Sequence, residues 1–219
     1  GDSYLLTQGY LHKATIAARC KQYKKAKRAL KSAKDESKKC EDLTNRVLAL
    51  ISCGKIATKC GHNEQAIDSF REASAHARDA GLECQQIHSL ENLIHASYET
   101  GNFKQIIETV PELEELHRST KDYPGLSITL LYKSAALVKV GSFKEAREWL
   151  SKSLRIARRH ELRDCIRDCV ISRFGLSCQE GRQRLGCRQL KQAAEKEAEE
   201  GRLELAAGLY EHLAKWSGS

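Results

Sequence analysis

Two clusters of side chains have the types and spacing that metal binding would need. Cys165 and Cys169 are four residues apart, hence on one face of a helix, with His160 nearby in sequence. His88 and His95 share a helical face with Glu91 and Glu99. Thiolate and imidazole suit zinc, but a zinc site takes four ligands, and neither cluster supplies a second cysteine pair or a fixed fourth donor. The cysteines read as small buried residues and the histidine face as a solvated one, so neither a metal nor another cofactor is expected. Covalent or acid–base catalysis would need a nucleophile with its base, a glycine loop that cradles phosphate, or a carboxylate pair in a pocket. No such spacing occurs, and the chain is expected not to be an enzyme.

The other chemistry is charge. The 219-residue chain has 37 Lys and Arg against 29 Asp and Glu, a formal net charge of +8. Residues 21–39 hold nine cations against Asp35 and Glu36, a net of +7. Lys24, Lys27, Arg28, Lys31 and Lys34 lie opposite the apolar positions Tyr23, Ala26, Leu30 and Ala33, which puts them on an outer helix face. A second tract, Arg155 to Arg188, has nine arginines against four acids. Such tracts suit an acidic partner, a nucleic-acid backbone or a membrane surface. The plainer reading is a solvated face, because aromatics for base stacking are not interleaved.

The elements that carry these residues follow from an internal repeat. Gly61, Gly101, Gly141 and Gly181 are 40 residues apart, and the same register reaches back to Lys21. Columns at fixed offsets read Ala26, Ala66, Ile106, Ala146, Gly186 and Leu30, Phe70, Val110, Leu150, Leu190. Apolar steps of three and four on either side of a glycine predict two antiparallel helices joined by a tight turn. The period predicts helix pairs at residues 4–20 and 23–38, 43–60 and 63–80, 84–100 and 103–120, 126–140 and 143–159, 163–179 and 182–199. Leu205, Ala206, Leu209, Tyr210, Leu213 and Trp216 predict a capping helix over 202–216. Pro111 should kink its helix, and Tyr123-Pro124-Gly125 reads as an inter-repeat turn.

The columns G-x-[aromatic]-x-x-A, best seen in Gly141–Ala146 with Leu150 and Ser153, resemble the second half of the tetratricopeptide repeat, from about Tyr4 to Trp216. The 40-residue period is similar to the longer-helix branch that includes Pins-type adaptors and kinesin light chains. The resemblance implies an all-α, right-handed superhelical solenoid of five helix pairs in one domain spanning 1–219. Its repeats would cover about 4–42, 43–82, 83–122, 123–162 and 163–200.

It also implies a concave groove built from the first helix of each pair, which would bind a peptide or helical segment of another protein. Carried onto this sequence, the groove residues include Arg19, Lys55, Lys59, Glu91, Asn92, His95, Tyr98, Leu131, Tyr132 and Lys139. Leu48, Ile51, His88 and Ile128 take inner positions by the same correspondence. Asn92 stands where family members often hold a ligand's main chain. Leu11 and Thr15 replace the first lysine and asparagine of the carboxylate clamp used by chaperone-binding members, so that activity is not expected. The partner would carry acidic and apolar residues. Binding of nucleic acid or an acidic surface by the helix at 21–39 is the alternative, and pairing of two copies through end helices stays open.

No run approaches the roughly 18 apolar residues of a membrane helix. The nine cysteines are odd in number and scattered, which points to a reducing, cytoplasmic setting.

Overall fold

A computed structural model describes residues 2–217, with side chains through Lys215, so the predicted apolar position Trp216 lies outside the described side chains. The described residues form eleven α-helices and no strand. They are α1 (Asp2–Arg19), α2 (Tyr23–Ser37), α3 (Leu43–Lys59), α4 (Asn63–Asp79), α5 (Glu83–Glu99) and α6 (Phe103–Ser119). Then come α7 (Tyr123–Lys139), α8 (Phe143–Arg159), α9 (Arg163–Gln179), α10 (Gln183–Glu199) and α11 (Leu203–Ser217). The all-α repeat architecture expected from the sequence period is the one observed.

The backbone repeats at half that period. Positive φ recurs at Lys21, Gly61, Gly81, Gly101, Lys121, Gly141, Glu161, Gly181 and Gly201, one such residue at every junction between successive helices except that of α2 with α3. At each of these turns the third residue beyond the helix donates its N–H to a carbonyl five positions back. Examples are His62 to Ala57 (2.9 Å), Leu82 to Ala77 (2.8 Å) and Ser142 to Leu137 (2.9 Å). This is the Schellman arrangement, in which one left-handed residue reverses the chain and satisfies the terminal carbonyls. Turns within a pair and turns between pairs are therefore built alike, and α3 to α10 are each 17 residues long. At the exceptional junction α2 ends in right-handed geometry at Lys38, and Asp42 starts α3 by accepting the Thr44 N–H at 2.8 Å.

The turn register corrects one expectation. Tyr123-Pro124-Gly125 is not the turn but the first turn of α7, because the left-handed residue is Lys121 and Asp122 caps the helix by accepting the Gly125 N–H at 3.0 Å. Proline is tolerated there because the first helical N–H groups have no intrahelical acceptor. The helix α6 continues through Pro111.

The chain divides into two compact units, Gly1–Thr109 and Val110–Ser219. In the first, α1 packs on α2 and α3 on α4, while α1 also touches α3 and α3 touches α5. In the second, α7 packs on α8 and α9 on α10, with α7 touching α9 and α9 touching α11. Large apolar residues at Leu30, Leu50, Phe70, Leu90, Leu130, Leu150 and Leu190 are buried in these interfaces. Each contributes roughly 1.5–3 kcal/mol through burial. Small partners let the helices approach closely, and at Gly54 an added Cβ would overlap the Phe70 ring.

Residues 17, 57, 77, 97, 157 and 177, whose carbonyls accept the turn bonds, are Ala or Ser and are buried. His117 and Glu197 occupy the same column and are also fully buried. Glu197 is compensated by Arg202, from its own turn, and by Arg158 at 3.8 Å. His117 Nδ1 lies 3.0 Å from the Asp122 carboxylate, and only a glycine at 125 leaves room for both groups.

Opposite effects are expected at this one junction. Lys121→Gly should stabilise the chain by up to about 1 kcal/mol by relieving left-handed strain. Gly125→Ala should cost about 1–3 kcal/mol by overpacking against His117 and Asp122. Urea unfolding of the two variants, read at constant slope, measures both signs.

Candidate functional site

In the first unit the backbones of successive odd-numbered helices come close, whereas those of α2 and α4 do not, and the Lys34–Glu72 ion pair spans the gap between them. The two layers thus present different surfaces: a close-set inner row of α1, α3 and α5, and an outer pair with space between them. Each layer carries a recess.

The inner recess, of about 440 Å³, is lined by Leu48, Ile51, Ser52 and Lys55 of α3 and by Cys84, Gln85 and His88 of α5. Lys55 Nζ lies 2.7 Å from His88 Nε2. Lysine can only donate, so Nε2 must accept and the imidazole proton must sit on Nδ1. Burial, and then the Lys55 charge, hold His88 below the usual histidine value. Leu48 is 44% exposed at the mouth. Ile128 of α7, two repeats later in the same column, is 46% exposed in the second unit. Exposed aliphatics of this size on polar helix faces favour contact with another apolar surface.

Of the residues expected to form the groove, Lys55 lines this recess. Glu91 and His95 are exposed on α5. Asn92 is half-buried, and its amide donates to the His88 carbonyl at 2.6 Å, one helical turn back. Tyr98 is half-buried with its ring edge-on to Phe103, centroids 6.0 Å apart. Arg19 and Lys59 occupy the exposed last turns of α1 and α3, where a cation also meets the negative end of the helix dipole. In the second unit, Leu131 and Tyr132 are half-buried on α7, and Lys139 is exposed in its last turn.

The outer recess of the first unit is larger, about 730 Å³. Lys27, Arg28, Lys31 and Lys34 of α2 form one wall, and Gly61–Gln65 with Asp68 form the other. Lys34 is tied to Glu72 at 2.7 Å. Lys24, Lys27, Arg28 and Lys31 have no carboxylate partner among the described residues. The sequence placed these cations on one face; the facing wall from the start of α4 was not read from it, although the one-repeat offset between successive outer helices could have pointed there.

The cysteine cluster resolves differently. Cys165 and Cys169 are buried, and burial raises both thiols, Cys169 to about 11. Ser153 Oγ lies 3.1 Å from Cys169 Sγ, within a buried serine network that includes Ser127. His160 is stacked on Tyr123 at 3.6 Å between centroids. Protonated, hydrogen-bonded thiols of this kind pack the interface of α7, α8 and α9.

A model of the family described as Anaphase-promoting complex subunit 5 matches the chain twice in tandem, at residues 10–99 and 96–179. The chain belongs to the Anaphase-promoting complex subunit 5 family. No curated protein matches it in sequence. Among solved structures, this family member is similar to the nearly identical TPR-like repeats of a putative kinesin light chain from Podosopora anserina. The TM-score is 0.68 and the identity 14%, over 92% of this chain and 99% of that one. It is also similar to aspartyl phosphate phosphatase F from Bacillus subtilis, at TM-score 0.57 and 12% identity, over 98% of this chain and 60% of that one. A Rap protein complexed with competence and sporulation factor aligns at TM-score 0.59 and 12% identity, over 96% of this chain and 64% of that one. The chain thus spans about three fifths of those two proteins. At such identities the likeness establishes a TPR-like repeat fold. Among the described residues, no helix is long and apolar enough to cross a membrane.

The Lys55–His88 contact makes the inner face pH-sensitive. On acidification below the ordinary histidine range, His88 gains a charge beside Lys55. A depressed histidine pKa means the contact is intact at neutral pH and lost on acidification, and an acidic ligand there should bind more tightly as pH drops. Titrating a fluorescent Glu-rich peptide from pH 7.5 to 5.5 should show this tightening, and His88→Gln should flatten it.

Proposed function

We propose that the chain is a non-catalytic interaction scaffold that seats a segment of another protein on the inner faces of its odd-numbered helices. The observation that carries this reading is the column holding Leu48 and Ile128: each unit exposes a large aliphatic residue at the same inner position, and at Leu48 it borders a recess with Lys55. An aliphatic anchor beside a cation suits an extended or helical segment with apolar and acidic residues. The family's name describes a subunit of a complex, which is consistent with a role in assembly. A TPR-like neighbour solved with a bound factor supports use of this fold for recognition. Arg19, Lys59, Glu91, Asn92, His95 and Tyr98 would extend the surface in the first unit, and Leu131, Tyr132 and Lys139 in the second. The cytoplasm remains the setting this reading favours.

One observation supports a second reading. The unpaired cations Lys27, Arg28 and Lys31 converge on the 730 Å³ outer recess, a surface that would attract an acidic partner or a nucleic-acid backbone.

Affinity capture from lysate with quantitative mass spectrometry separates the two. Leu48→Glu with Ile128→Glu should reduce recovery of the specific partners at least about tenfold, the loss of one or two desolvated anchors. Lys27→Glu with Lys31→Glu should leave them in place. The reverse pattern, or salt-dependent retention of RNA lost only in the lysine variant, would overturn the inner-face reading.

A further inference from the structure

A third recess, in the second unit, has a lining unlike the other two. It measures about 280 Å³ and is lined by Arg118 of α6 and by Lys152, Arg155, Ile156 and Arg159 of α8. Its lining includes four cations and no carboxylate. Several exposed cations on α4, α6 and α10 have acids one turn away: Arg71 with Asp68 at 3.2 Å, Lys104 with Glu108 at 3.7 Å, Lys191 with Glu195 at 3.7 Å. In this recess Arg118 has such a partner, Glu114 at 2.7 Å. Lys152, Arg155 and Arg159 have none among the described residues. They stand at i, i+3 and i+7 on one face of α8, where like charges repel at some cost to the helix.

The geometry also narrows what would relieve that repulsion. Two unpaired guanidinium forks and an ammonium converge from one helix, Arg118 faces them from another, and Ile156 supplies an apolar patch. Arginine forks match the oxygens of a phosphate in a bidentate manner, and a recess of this size takes one such group rather than a length of polymer. Base stacking has little to use here. The nearby indole of Trp149 already carries the ammonium groups of Lys133 and Lys152, 3.7 and 3.9 Å from its centroid. The Trp149 contact also fixes Lys152 at the rim, so less side-chain freedom is lost on binding.

We propose that the recess between α6 and α8 binds a phosphorylated segment of a protein partner, with Arg155 and Arg159 holding the phosphate and Arg118 and Lys152 closing around it. This surface is separate from the inner faces assigned above to the apolar segment.

The test is an NMR titration of the whole chain, following arginine Nε–H and backbone signals, with a short phosphoserine peptide as probe. Phosphate-dependent shifts should localise to α8 and to Arg118. The unphosphorylated peptide and the Arg155→Gln/Arg159→Gln variant should each bind at least about tenfold more weakly, the loss of charge-assisted hydrogen bonds. Lys27→Gln/Lys31→Gln should change affinity less than about twofold, since those residues belong to another recess. Circular dichroism confirms the fold of each variant, and Arg159→Gln alone replaces the double variant if the latter unfolds. Shifts that are absent from α8, or that survive loss of both arginines, would overturn the proposal. So would tighter binding of a short oligothymidine, or of phosphatidylserine vesicles, through the same residues.

Discussion

A single backbone bond organises this molecule: the N–H of the third residue past a helix reaches the carbonyl five positions back, made possible by one residue in left-handed conformation. Because that bond recurs at all but one junction, α3 to α10 are held to one length of 17 residues, and α4 to α10 each start at the same place relative to the turn before. The residue whose carbonyl accepts it is buried at every turn, and the column is mostly alanine and serine. Where the column admits a larger polar residue, the structure supplies a compensating charge, as Arg202 and Arg158 do for Glu197. An uncompensated carboxylate at such a position would cost several kcal/mol.

Uniform turns still produce two unlike surfaces. In the first unit the backbones of successive odd-numbered helices lie close and those of α2 and α4 stand farther apart, so side chains of equal length meet a close-set row on one layer and open recesses on the other. Apolar anchors can be presented on the close-set layer without a deep cavity. On the outer layer, the space between α2 and α4 leaves room for the row of cations along α2. Function on this scaffold is therefore a matter of which layer a residue is assigned to, and that assignment is made by the turns rather than by any local motif.

The helices and their pairing were legible because the glycines at 61, 101, 141 and 181 and the Leu30, Phe70 and Leu150 column obey one period. The half-period was harder to see: Gly81 and Gly201 announce it, but Lys121 and Glu161 adopt the same backbone with side chains that carry no such signal. Pro124 misled for a related reason. Proline favours both a turn and the first turn of a helix, and the choice depended on Asp122 as cap. The basic face of α2 could be read from one helix alone, whereas a recess needs its second wall. Gly61–Gln65 for the α2 cations, and Arg118 for those of α8, come from helices a full repeat away. Pairings such as Lys55 with His88, 33 positions apart, lie beyond any spacing rule within an element.

The equality of the turns gives this fold a parity. A duplication or deletion of one whole helix pair would leave every later helix in its own layer. Adding or removing a single helix with its turn would join the flanking helices just as smoothly, since the turn is the same. Yet within a unit that odd step would exchange the layers for the helices that follow, so that exposed residues of one layer, Ile128 or the α8 arginines, would change sides. The backbone tolerates either step; the surface chemistry tolerates only the even one, and this is a physical reason for a sequence to keep a period twice that of its own backbone.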